Sequence, residues 1–141
     1  MKKKILIINA NYYKEISSGL LSSAKYSIPK NYKIKIINVP GVFEIPVSIS
    51  KNIKKFDAFI ALGCVIKGQT PHFDLICKST FDAILDLSIN YNKPIGNGII
   101  TAFNMKQALE RSGNIKSRKP NKGLESAKAV LSILKNGPKK I

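Results

Sequence analysis

The sequence predicts an α/β fold: one four-stranded parallel sheet flanked by helices in a doubly wound, three-layer sandwich. Two observations predict it. Four short apolar segments recur along the chain, and helical periodicities fill the gaps between them. Three of the four segments are nearly continuous apolar runs, the pattern of parallel strands covered on both faces. A length of 141 residues fits one domain with a real core, spanning residues 1–141.

The strands are expected at Lys4–Asn9, Lys33–Val39, Ala58–Val65 and Ile95–Thr101, each ending near Gly, Pro, Asn or Thr. Ser17 or Ser18 caps a first helix running to about Tyr26, with Leu20, Leu21 and Ala24 inward. Ile45, Ile49 and Ile53 recur every four residues and mark a second helix to about Lys54. Leu75, Ile76, Ser79, Ala83, Ile84 and Leu87 mark a long third one from about His72 to Ser88. Asn104 caps a short fourth, Met105–Ser112, and Leu124, Ala127, Val130, Leu131 and Leu134 mark a last one over Gly123–Lys135. The polar connection Gly113–Asn121 joins these two.

The formal net charge of +16 raises a nucleic-acid-binding reading. Nearly all of it is Lys, however, with Arg111 and Arg118 the only arginines, whereas specific readers favour the bidentate guanidinium. Lys, Ile and Asn are abundant together, as an AT-rich coding sequence imposes. The basic surface is therefore read as solvated and able to attract anionic substrates, with no nucleic-acid partner. No apolar run reaches membrane-spanning length, and the apolar stretch after Lys2–Lys4 is too short for a signal peptide, so the expected compartment is cytoplasmic. Cys64 lies in an apolar strand and Cys77 in a helical pattern, both expected buried; with a single histidine they form no metal-ligand pattern.

In such a sheet ligands bind beyond the carboxyl ends of the strands. Three loops reach that rim: Ala10-Asn11-Tyr12, Pro40-Gly41-Val42-Phe43-Glu44 and Lys67-Gly68-Gln69-Thr70-Pro71-His72. The third suits an anion, with Gly68 for close backbone approach, the Thr70 hydroxyl and free N–H groups at the following helix start. His72 is the chain's only side chain that gives and takes protons near neutrality. Taken alone it is a surface histidine at a helix N-terminus; beside these loops it is a candidate proton carrier. Glu44 is either an acid favoured by a helix start or an acceptor for a polyol or heterocycle. Tyr12 is either a loop aromatic or a stacking face. Arg111 either complements a helix C-terminus or clamps a phosphate.

The segments Val39–Pro46, Ala61–Asp74 and Gln107–Arg111, with Asn121-Lys122-Gly123, resemble the 6,7-dimethyl-8-ribityllumazine synthase family nearly end to end and in order. The resemblance implies a flavodoxin-like fold and condensation of 5-amino-6-(D-ribitylamino)uracil with 3,4-dihydroxy-2-butanone 4-phosphate, releasing phosphate and water. It implies no cofactor and no metal. Residue by residue, Tyr12 falls on the aromatic that stacks on the pyrimidine. Val42, Phe43 and Glu44 fall on the segment holding the ribityl chain and ring edge, and Cys64, Val65 and Ile66 on the strand end that meets the pyrimidine. Gln69, Thr70 and Arg111 fall on the phosphate site, with Arg111 supplied by a neighbouring subunit. His72 falls on the proton-transfer residue and Lys122 on a motif lysine near substrate. The family often carries an aromatic before the Gly of the fourth strand; here Asn97 precedes Gly98.

The resemblance also implies a homopentamer with sites between subunits. The short Met1–Lys3 segment and the basic linker Asn114–Pro120 argue for stopping at a pentamer, or a pair of them, rather than a sixty-subunit capsid. Two other classes compete: a basic nucleic-acid-binding α/β domain and a flavodoxin-like flavin or nucleotide carrier. Binding of a ribitylaminouracil analogue, against salt-dependent binding of random oligonucleotides, separates the first from the enzyme.

Overall fold

A computed structural model describes residues 2–113 and 120–139. The elements run β1 (Lys4–Ala10), α1 (Lys14–Ser27), β2 (Lys33–Val39), a 3₁₀ turn (Val42–Glu44), α2 (Ile45–Asn52), β3 (Ala58–Ile66), α3 (His72–Tyr91), β4 (Ile95–Ala102), α4 (Met105–Ser112) and α5 (Lys122–Lys135). The sheet is parallel throughout, in the order β2-β1-β3-β4. This is the expected α/β architecture.

Burial differs between the strands: β4, though at an edge, is largely buried. Central β1 and β3 are almost wholly buried, whereas β2, at one edge, has no buried residue. Two apolar layers cover the sheet. On one face Ile5, Ile7, Ile60 and Leu62 pack with Ile16, Leu20 and Ala24 of α1 and Ala127 and Val130 of α5. On the other Leu6, Ile8, Phe59 and Ile99 pack with Ile45 and Ile49 of α2 and Ile84 of α3.

The element ends correct several expectations. α1 begins at Lys14, not at a Ser17 or Ser18 cap. Ile16 is buried and draws the first turn onto the sheet, so Ser17 lies inside the helix, where its hydroxyl donates to the Lys14 carbonyl at 3.0 Å. α2 stops at Asn52 rather than Lys54, and Pro46 occupies its first turn, where a missing N–H costs nothing. α3 continues past Ser88 to Tyr91 and ends on Asn92 in the left-handed conformation, φ 53°, with the Asn92 N–H on the Ser88 carbonyl. Its buried positions are Thr80 and Ile84; Leu75 and Ser79 face solvent. Cys64 is buried as expected, but Cys77 only partly.

Close approach between layers depends on glycine. A Cβ on Gly98 would lie 2.5 Å from Leu62 Cδ2 and 2.8 Å from Ser126 Oγ, and one on Gly96 would strike the Ser126 carbonyl. These two positions let α5 lie directly on β4. Residues 114–119 lie outside the described residues, and with them most of the basic linker on which the assembly expectation rests. Across that gap the buried Asn121 amide donates to the Gly113 carbonyl at 2.7 Å, while its oxygen accepts from the Leu124 N–H at 3.1 Å. One side chain thus caps α5 and ties its start to the end of α4. Among the described residues no helix is long and apolar enough to cross a membrane.

Candidate active site

The sequence-predicted residues fall into two groups. The first lines the carboxyl end of the sheet. Tyr12 follows β1 and is 73% exposed, its ring edge-on to Tyr13 at 4.9 Å. Its position outside the core leaves a ring face free for stacking. Gly63 of β3 fixes the next segment: a Cβ there would lie 2.8 Å from Val42 Cγ2, so buried Val42 seats directly on the sheet. The 3₁₀ turn then carries Phe43 outward, 61% exposed, with Glu44 half-buried behind it.

The end of β3 supplies Cys64, Val65 and Ile66. Burial, and after it the neighbouring Cys77, pushes the Cys64 thiol up to about 12. Cys64 is thus a neutral thiol at physiological pH, not a nucleophile, and offers a site its shape and main chain. Beyond it Gln69, Thr70 and His72 are exposed on the loop into α3. The Thr70 hydroxyl oxygen accepts from the His72 N–H at 3.4 Å, which orders the turn at the helix start. Lys67 is anchored there too: its N–H donates to the Ala102 carbonyl at 2.9 Å and its ammonium lies 5.4 Å from the Phe103 ring centroid.

The second group lies at the free edge of β4. Asn97, Arg111 and Lys122 line one cavity of about 240 Å³, together with Phe81, Ile99, Ile100, Thr101, Pro120 and Glu125. None of the rim residues lines it. Arg111 comes from α4, where Asn104 caps the helix as expected and accepts from the Gln107 N–H at 2.9 Å. The Arg111 guanidinium donates to the Gln107 carbonyl at 3.1 Å, so it complements the helix C-terminus while facing the cavity. Lys122 stands at the start of α5, 3.8 Å from Glu125.

β4 contributes main-chain groups as well. The Pro94 and Ala102 carbonyls accept from Phe59 and Lys67, so even-numbered residues of this region turn toward β3. In a parallel strand alternate residues point to opposite sides, so Asn97, Ile99 and Thr101 turn theirs to the free edge. The Asn97 side-chain oxygen accepts from the Ile99 N–H at 3.1 Å and satisfies one of these edge donors. The cavity therefore combines two cations, one of them beside the Glu125 carboxylate, with strand-edge hydrogen-bonding groups and an aromatic ring, a set suited to an anionic or heterocyclic ligand.

Sequence reasoning missed Phe81, Thr101 and Glu125 as cavity residues. For Phe81 the signal was present: it stands beside the inward stripe Ile76, Thr80 and Ile84 at helical spacing, on its β4 side. Glu125 was visible only as an i,i+3 partner of Lys122. Among the described residues no group of three or more His, Cys, Asp or Glu is placed to hold a metal ion.

Comparison with known proteins gives this geometry its context. The family model described as 6,7-dimethyl-8-ribityllumazine synthase matches residues 2–136. A protein of that name from Campylobacter jejuni subsp. jejuni serotype O:23/36 (strain 81-176) is 39% identical over 137 residues, covering 93% of this chain and 87% of the relative. Another from Campylobacter curvus (strain 525.92) is 37% identical over 139 residues, covering 94% and 87%. A third from Methylorubrum populi (strain ATCC BAA-705 / NCIMB 13946 / BJ001) is 38% identical over 139 residues, covering 93% and 80%. With the model matched almost from end to end on a four-stranded parallel sheet, the chain belongs to the 6,7-dimethyl-8-ribityllumazine synthase family.

Proposed function

We propose that this chain condenses 5-amino-6-(D-ribitylamino)uracil with 3,4-dihydroxy-2-butanone 4-phosphate to 6,7-dimethyl-8-ribityllumazine. This is the penultimate step of riboflavin synthesis, carried out in the cytoplasm without cofactor or metal. The observation that carries the reading is the family match over residues 2–136. No observation favours the nucleic-acid-binding alternative.

In this reading the two residue groups are halves of a site shared between neighbouring chains of a homopentamer. The support is their separation in one chain: the rim residues line no part of the cavity that holds Asn97, Arg111 and Lys122. Tyr12 stacks on the pyrimidine, while Phe43 and Glu44 hold the ribityl chain and ring edge. Main-chain groups of Cys64, Val65 and Ile66 meet the pyrimidine. Gln69, Thr70 and the loop N–H groups hold the phosphate, with Arg111 of the next chain closing over it and Lys122 near the substrate.

The chemistry is imine formation, phosphate elimination and ring closure. His72 is exposed at the rim and shuttles the protons these steps exchange. Holding two substrates face to face supplies much of the remaining acceleration.

Supplying both substrates to the purified protein and following the fluorescent lumazine tests the reaction. Absence of product at micromolar enzyme overturns it. Light scattering at low and moderate salt tests assembly: the expected particle is five or ten chains. A fully active monomer overturns the shared site, and a sixty-chain particle under both conditions overturns the limit to pentamers.

A further inference from the structure

We propose that Phe81 is a substrate-binding wall: its ring is the surface against which the pyrimidine lies at the free edge of β4. The inference rests on the proposed function, because it assigns the aromatic contact of the edge half-site. Phe81 is the one aromatic residue among the described residues lining the cavity of about 240 Å³ that also holds Arg111 and Lys122. Its ring is only partly buried: it packs against the layer formed by Leu6, Ile8, Phe59 and Ile99 and leaves surface in the cavity.

The opposite candidate, Asn97, is occupied otherwise. Its side-chain oxygen is held by the Ile99 N–H at 3.1 Å, along the strand edge, and it has no π face to offer. Its amide nitrogen and the edge groups of β4 supply hydrogen bonds in the plane of a bound heterocycle. A planar ring seated there meets polar groups at its rim and the Phe81 ring at its face. The β4 side of the cavity is thus polar at Asn97, and the aromatic surface comes from α3 across the same cavity.

The ring's removal should read out in one substrate. Aromatic stacking on a base is worth about 1–3 kcal/mol by alanine substitution, about 5- to 150-fold. For Phe81→Leu, which keeps apolar bulk, we expect the Michaelis constant for the pyrimidine to rise about 10-fold, with that for the butanone phosphate changed less than about twofold. Phe81→Tyr keeps the π face and should stay within about twofold of wild type for both. A role in packing alone predicts no split, since it reaches both substrates through the fold. Equal increases in both constants for Phe81→Leu, or no increase in either, overturn the proposal.

A second measurement does not depend on turnover. The chain contains no tryptophan, so Phe81→Trp places a lone reporter in the cavity. A ribitylaminouracil analogue lacking the reactive 5-amino group should quench or shift its emission saturably, and inorganic phosphate alone should not. Unchanged emission at saturating analogue overturns the wall. Lumazine formation by the wild type is assayed in parallel: product with a silent indole in the Phe81→Trp variant removes Phe81 alone, whereas no product removes the functional reading beneath it.

Discussion

Replacing Gly98 by alanine measures how closely β4 lies under α5. The added Cβ meets Leu62 Cδ2 at 2.5 Å, Ser126 Oγ at 2.8 Å and the Ala61 carbonyl oxygen at 2.9 Å. Leu62 is fully buried and can yield only by displacing its own neighbours. The Ala61 oxygen is main chain in β3, paired in register with β4, and cannot retreat without opening that pairing. Overpacking of this kind costs about 1–3 kcal/mol, and a backbone obstacle places Gly98→Ala in the upper half, about 2–3 kcal/mol. For a chain of this length each kcal/mol moves Tm by roughly 3–4 °C, so a fall of about 6–12 °C is expected. Gly68→Ala is the control. A Cβ there meets nothing within 4 Å, and no glycine has a positive φ. Loss of unfolded-state freedom should leave that variant neutral or up to about 1 kcal/mol more stable. Urea titrations at one fixed protein concentration decide the matter, since association would otherwise shift the midpoints. Gly98→Ala within about 0.5 kcal/mol of wild type, or the two variants falling together, would refute the packing argument.

His72→Ala should slow turnover by about 10- to 1000-fold while leaving the urea midpoint unchanged, because the side chain is exposed and only its main chain joins the local hydrogen bonds. Wild-type turnover across the pH range removes His72 from the mechanism. Arg111→Lys should raise the Michaelis constant for the butanone phosphate well above any change for the pyrimidine, because an ammonium cannot grip phosphate with a planar fork. Varying each substrate in turn decides it, and equal effects place Arg111 outside the phosphate contact. The Cys64 thiol ordinarily titrates at 9.0 and is held near 12 by burial, so the folded chain keeps a proton that the unfolded chain loses. Its stabilisation is complete below about pH 9 and is lost as pH rises toward about 12. The wild-type advantage in urea midpoint over Cys64→Ala should therefore shrink across that window; a constant difference contradicts the assignment.

The strands were legible because parallel strands buried on both faces leave continuous apolar runs, as in Ile5–Ile8 and Ala58–Cys64. Asn104 marked the start of α4 because a capping side chain is a local signal. Ser17 misled for the same reason: a serine can cap or lie within a helix, and the burial of Ile16 chose the second. Candidate site residues drew notice in the sequence where their types are chemically unusual, as with His72 and the loop before it. The edge cavity was not legible, because it depends on which groups of β4 face outward and on where α3 sets Phe81, and both are fixed by the sheet order. Asn97 drew notice as an absent aromatic; its bond to the Ile99 N–H became visible only with the strand edge in place.

The division between rim and edge cavity has a genetic consequence. If each chain lends its rim to one site and its edge to the next, His72→Ala disables one half of a chain and Arg111→Ala the other. Chains of the two kinds, each impaired alone, should recover activity when dissociated and reassembled together. Random mixing in equal amounts pairs an intact rim with an intact edge at about a quarter of the sites of a cyclic assembly. A chain bearing both lesions has the opposite effect: inserted among wild-type neighbours, it poisons two sites at once.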